Sequence, residues 1–389
     1  MKVTQLHELV NAVAQEVLGD TAVVNNDLSN VVDIGKEIIN TENVDNYVKK
    51  LVNHIGKVVF SNRLYKGGVP SVFMDKWEFG SILEKITADL PHATENKTWE
   101  LENGVDYSPD VFYKPEISVK FFNSKTTFEI PLSFTEKQVK ESFSSAEQLN
   151  GFVSMLTVSV ENAMTVKLDG LIMRTIANMI GETMVNDLDS GKDGTLEKLE
   201  NGSIRSVNLL AMFNKGLTKK LTKDQALQNA DFIRFATYQI SLYSDRMSRI
   251  SKLFNVGGKE KFTPKDLQHI VLLSDFAKAN EMFLLSNTQN ADKVTLPNHE
   301  TVPFWQGSGE SYEFDDISKI MAKTASGVTV NVSGILGVIF DRDALGVTNL
   351  DRRVTTNYNP KAEFYTNFYK FDAGFYNDLN ENFVVFYVA

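Results

Sequence analysis

Apolar residues recur every three or four positions from Ser145 to Ile180, at Leu149, Phe152, Val153, Leu156, Val160, Ala163, Met164, Leu168, Leu171, Ile172, Ile176, Met179 and Ile180. A period near that of the α-helix, held over such a length, predicts one long amphipathic helix with a single apolar face. Ser144 or Ser145 is placed to cap its start, with Glu147 and Gln148 three residues on, and Gly181 stands where a left-handed residue would end it. At the usual rise per residue such a helix is roughly 50 Å long, a beam rather than an ordinary globular helix. The stripe is wide and carries no sustained heptad with charged flanks, so it does not predict a coiled coil.

Before this helix the pattern changes character twice. Polar helical pieces are expected at His7–Leu18, Asp33–Asn40 and Val44–Val59, with GDTAVVNNDLSN between the first two as a loop. From Tyr65 onward, strand-like alternation around Trp77–Ile86 and at Ile117, Val119 and Phe121 flanks the polar stretch HATENKTWELENGVDYSPD, which contains Trp99. Two strands joined in this way predict a long hairpin arm, because few apolar residues are left to cover both of its faces. TTFEIPLSF then alternates strictly at Phe128, Ile130, Leu132 and Phe134, and EKQVKESF leads into the long helix.

Beyond Gly181 a polar loop, DLDSGKDGTLEKLENG, precedes a helix over ADFIRFATYQISLYSDRMSRISKLFN, a buried strand at Leu267–Ser274 and a second helix over DFAKANEMFLL. VTLPNHETVPFWQGSGE reads as loop or irregular strand, and ILGVIFDRDALGV as a buried strand that breaks off at Asp341, Arg342 and Asp343. The stretch Arg353–Val388 alternates, with aromatics at Phe364, Phe368, Phe371 and Phe375, and finishes on the buried run FVVFYV. Helices and strands in this order predict a compact α/β or α+β core.

Composition narrows the chemistry. The 389 residues are 42% hydrophobic and 23% charged, enough for one large core or two smaller ones. There are no cysteines, which excludes disulfides and cysteine-ligated metal sites. The start, MKVTQLHELVNAVAQEVL, lacks the apolar centre of a signal peptide, and no apolar run is long enough to span a bilayer, so a soluble protein made in the cytosol is expected, with no membrane partner. A formal net charge of -10, with no basic run beyond Lys219 and Lys220, argues against gripping nucleic acid through its phosphates.

Catalytic signatures are missing: no phosphate-binding glycine loop, no dinucleotide fingerprint, no zinc-protease helix and no nucleophile elbow. His7, His54, His92, His269 and His299 are scattered singly, and no pair has metal spacing. Asp341 and Asp343 follow a buried strand, where acid–base carboxylates could sit, but are equally ordinary as turn-formers. Asp189, Gly191, Asp193, Gly194 and Glu200 approach a calcium loop, yet Gly191 offers no side-chain oxygen, so a solvated acidic loop is the simpler reading. Trp77, Trp99 and Trp305 lie in arm-like or loop-like stretches and are candidate anchors between copies of the chain. No catalytic, cofactor-binding or metal residue is therefore expected, and no enzyme.

The order of these elements, with VFYKPEISVKFFNSKTTFEIPLSFTE leading into SAEQLNGFVSML and GVIFDRDALGV followed by RRVTTNYNP, resembles the major capsid proteins of tailed bacteriophages, the Hong Kong 97-type fold. The resemblance implies an N-terminal arm over 1–62, an extended loop over 66–124, a peripheral domain from 125–185 and 350–389 that includes the long helix as its spine, and an axial domain over 186–349. It implies a shell of hexamers and pentamers, icosahedral or prolate, that encloses double-stranded DNA without sequence-specific binding, made in the host cytoplasm and residing in the virion. Only residues 1–62 precede the extended loop, so scaffolding is expected from a separate protein, with a portal as a further partner. Some relatives crosslink subunits through a loop Lys and an Asn; Lys76, Lys85 and Lys97, with Asn357 or Asn359, are candidates by residue type. Two alternatives are an encapsulin-type nanocompartment shell and an unrelated soluble enzyme or carbohydrate-binding protein that uses the C-terminal aromatics.

Overall fold

The structure, a computed structural model, describes residues 3–19, 23–25, 29–40, 44–51, 69, 72–73, 83–88, 91, 93, 95, 100–107, 110, 112, 114, 117–142, 144, 146–188, 196–285, 296–305 and 311–389. It divides into two compact units, the first made of Met1–Gly80, Lys125–Ile172 and Val347–Gly374, the second of Ser81–Ser124, Met173–Gly346 and Phe375–Ala389. Helices and strands mix in both.

In the first unit, helices form at Val3–Leu18 and Val31–Asn40 and over 44–51. Each buries a stripe at helical spacing: Val10, Val13 and Ala14, then Ile34 and Ile38, then Val44, Tyr47, Val48 and Leu51. Three strands make its sheet, in the order β10 (Leu345–Asn359), β11 (Phe364–Asn377) and β3 (Lys125–Thr135). β3 is an edge strand, which is where Pro131 is tolerated. Its alternation is as expected, and Phe128 stacks on its cross-strand neighbour Phe371 with centroids 5.1 Å apart. On β11 the aromatics named above do not share a face: Tyr365, Asn367, Tyr369 and Phe371 are buried, whereas Phe364 and Phe368 alternate onto the half-buried side.

The long helix runs over Ala146–Asp187, roughly 60 Å. It passes through Gly181 instead of stopping there, and the Leu188 amide still donates to the Met184 carbonyl at 2.9 Å. Gly181 has a negative φ, and a Cβ built on it would stand 2.8 Å from Cβ of Ala322, so the missing side chain admits a neighbouring strand. Ser144 Oγ donates to the Glu141 carbonyl of the preceding turn at 2.6 Å, and Ser145 lies outside the described residues. Nor is the apolar face single throughout. Leu149, Val153, Leu156, Val160 and Met164 form one buried stripe while Val158 and Val166 face solvent; from Leu171 to Met184 nearly every side is buried, Arg174 being exposed.

In the second unit a five-stranded sheet has the order β4 (Ser206–Asn208), β12 (Phe383–Tyr387), β9 (Ile335–Asp341), β5 (Gln268–Leu273) and β6 (Glu300–Val302). β9 and β12 are buried along their whole length, which explains their unbroken apolar runs. β12, which sequence order groups with the strands before it, instead pairs parallel to β4 and antiparallel to β9. Helices Ala230–Met247 and Ser274–Leu285 contribute Phe232, Ile240 and Phe276 to one core with Ile270, Ile339 and Phe386. The first of these helices starts at Asn229, whose side chain accepts from the Asp231 and Phe232 amides. It stops at Met247, short of the expected Asn255, because the Met247 carbonyl takes the Thr263 amide (2.8 Å) and Ser251 bridges to Lys261. A small hairpin, β7 (Ile320–Lys323) with β8 (Thr329–Val332), belongs to the same unit.

Candidate assembly surface

The second unit also carries the arm expected from sequence, an antiparallel pair of β1 (Leu83–Ala88) and β2 (Ile117–Phe122). Its polarity is inverted. Ile86, Ile117, Val119 and Phe121 share the outward face and are 64%, 61%, 45% and 63% exposed. The inward face carries Leu83, Lys85, Thr87, Ser118, Lys120 and Phe122, all half-buried. Phe122 packs on Tyr376 (centroids 5.0 Å apart), and the Thr87 and Ser118 hydroxyls meet at 2.7 Å.

The lysines are held by charge. Lys85 Nζ lies 3.0 Å from Asp378 and 2.7 Å from Glu381, Lys120 Nζ 2.7 Å from Asp378, and Lys261 Nζ 2.9 Å from Glu381. Lys85 also donates to the Asp343 carbonyl at 3.1 Å. The carboxylates are 1% and 6% exposed, so these are sequestered pairs and not surface ones. Burial alone would raise the Asp378 carboxyl, but hydrogen bonds from Lys120 and Lys85 and the charge of Lys85 outweigh it and hold it below its ordinary value. Burial would likewise lower the Lys85 ammonium, and Glu381 and Asp378 together keep it above its ordinary value. An isolated two-stranded ribbon is marginal in water, and an apolar face turned outward destabilises it further unless another surface covers it. Beyond the strands, Leu101, Val105, Tyr107 and Phe112 add further exposed apolar area.

The other residues singled out from sequence take structural places. Asp341 Oδ1 accepts the Asp343 amide (2.9 Å) and its Oδ2 accepts from Thr263 Oγ1 (2.6 Å), the geometry of a turn-former; burial raises its carboxyl. Trp305 is no anchor between copies: it is buried, and its indole N–H donates to the Ile335 carbonyl at 2.9 Å. His7 donates to the Val24 carbonyl, His299 lies against the Pro297 carbonyl, and His269 sits beside the Phe340 ring, its imidazole lowered by burial. Asn357 is exposed, and Asn359 accepts the Lys361 amide in the turn that follows β10. Trp77, Trp99, His54, His92, Lys76, Lys97, Asp189, Gly191, Asp193 and Gly194 lie outside the described residues. Glu200 is described, its carbonyl accepting from Asn208. Among the described residues no group of three or more His, Asp or Glu could hold a metal ion, and no helix is long and apolar enough to cross a membrane.

No curated protein sequence matches the chain. Among solved structures it is similar to the capsid of Staphylococcus phage Andhra, at 10% identity and a TM-score of 0.49 over 84% of this chain and 86% of that one. It is also similar to a chain in the structure of head fiber and inner core protein gp22 of native bacteriophage P68, at 9% identity and a TM-score of 0.48 over 85% and 87%. Likeness at that level carries no weight in the assignment, which rests on a family match spanning residues 10–387. The match covers nearly the whole chain: the chain belongs to the family of Phi29-like phage major capsid proteins.

Proposed function

We propose that this capsid protein builds its shell through the outward face of the β1–β2 hairpin, which packs on another copy. The observation that carries this is the inversion itself: lysines inward on buried carboxylates, Ile86, Ile117, Val119 and Phe121 outward in solvent. In the Hong Kong 97-type arrangement that the element order suggests, 1–62 is the N-terminal arm, 66–124 the extended loop, 125–185 and 350–389 the peripheral domain and 186–349 the axial domain. The copies form hexamers and pentamers, and a separate scaffolding protein and a portal are the expected partners. Double-stranded DNA is enclosed and not gripped, in keeping with the net charge of -10. Synthesis in the host cytoplasm is part of the same reading.

The test is a double substitution, Val119→Ser with Phe121→Ser. Both side chains are solvent-exposed in the single subunit, so the thermal melt should move little while shells or capsomers vanish from light scattering and negative-stain images, with or without co-expressed scaffold. Undiminished shell yield would sink the assignment of this face.

A further inference from the structure

In the register of the hairpin, Lys85 lies directly opposite Lys120. Two like charges facing each other across antiparallel strands disfavour the pairing that brings them together. Within the two strands the one acidic residue, Glu84, alternates onto the exposed face opposite Phe121 and so lies on the other side from the lysines. Their counter-charges come instead from the turn between β11 and β12, some 258 residues on from Lys120. That turn is fixed without help from the hairpin: the Asp378 amide donates to the Ala344 carbonyl (2.7 Å), the Gly257 amide to the Leu379 carbonyl (2.8 Å), and the Asn380 amide to Asp378 Oδ1 (3.1 Å). Lys261 steadies Glu381 from a third segment.

We propose that Asp378 and Glu381 are the positioning residues of the assembly hairpin: by neutralising an opposed lysine pair they hold its strand register and turn its apolar face outward. The proposal rests on the reading of that face as the docking surface. The carboxylates act through the hairpin. Strand pairing and anchoring depend on the same two groups, so losing one carboxylate removes the anchor and restores the repulsion in a single step.

Hydrogen exchange on unassembled subunits tests this, with the amides of β9 as an internal reference. Asp378→Asn should speed exchange in 83–88 and 117–122 by roughly tenfold or more while β9 stays protected. Adding Lys120→Gln to Asp378→Asn removes the opposed charge and should recover most of the lost protection, which a purely structural role for Asp378 would not do. Unchanged exchange in Asp378→Asn, or no recovery with Lys120→Gln, overturns the proposal. Should Asp378→Asn also expose β9, Glu381→Gln is read in its place, and an unaltered hairpin there overturns it equally. Shell yield is scored separately: a frayed hairpin with full shell yield would refute the docking surface and not the clamp.

Discussion

Two glycines of the long helix should respond to alanine in opposite directions. Nothing lies within 4 Å of the position a Cβ would take on Gly170, which is exposed, so Gly170→Ala should raise stability by about 1 kcal/mol through helix propensity alone. At Gly181 the same change drives a methyl to 2.8 Å from Ala322 Cβ and should cost about 1–3 kcal/mol by overpacking. Thermal melts of the two variants, shifted to opposite sides of the parent, check both. Acidity gives a second prediction. Asp378 is depressed, so its stabilising contribution is complete above the ordinary carboxylate value and is lost as pH falls through its folded one. Lys85 is raised, so its contribution is complete below the ordinary lysine value and is lost as pH climbs through its folded one. Around them stand Lys120, Lys261, Glu381, Asp341, Asp343 and Tyr376. Hairpin protection, corrected for intrinsic exchange, should therefore be flat across neutral pH and fall at both ends; an acid limb that persists in Asp378→Asn would contradict this. From sequence, Gly170 reads as a weak point within the periodic pattern and Gly181 as its end. Which meets solvent and which meets a strand depends on Ala322, far along the chain.

For the long helix as an element, burial decides the outcome of a charge. Leu156 and Ile172 are 1% and 0% exposed, so Leu156→Asp or Ile172→Asp should cost several kcal/mol and yield insoluble protein. Val166→Asp, at a position 69% exposed, should stay soluble within about 0.5 kcal/mol of the parent, with native circular dichroism. Soluble, native Leu156→Asp would contradict the buried stripe. The existence of this helix was legible because its period persists, as was β3, where period-two alternation is strict. What stayed hidden needed distant partners: the helix from Ala230 stops early because the Thr263 amide takes its last carbonyl, that of Met247. The arm was legible as a hairpin, but its orientation was not. Alternation says which residues share a face, and the usual rule would turn Ile86 and Val119 inward; only the carboxylates of 378–381 reverse it.

At the scale of the whole molecule, removing 92–107 should leave the five-stranded sheet folded and the melt nearly unchanged, while shell formation measured by light scattering fails. Retained shells would remove the loop from the assembly machinery. The order of the main elements was readable, and with it the family, but β4, β7 and β8 carried no expectation as strands, and strand order was hidden because β4 and β12 pair residues 179 positions apart (385 − 206). That pairing sets a clock. β12 is the last described strand in sequence, yet it fills the slot between β4 and β9. During translation β4, β5 and β9 leave the ribosome and wait for Phe383–Tyr387 to join them, and the turn bearing Asp378 and Glu381 emerges only just before. A nascent chain stalled ahead of Phe383 should be cut by protease throughout 206–341, whereas one extended past Tyr387 on a linker should resist. In that order of synthesis both strands of the hairpin emerge long before the carboxylates that face their lysines, so a nascent chain that still lacks Asp378 and Glu381 should leave 83–88 and 117–122 open to protease.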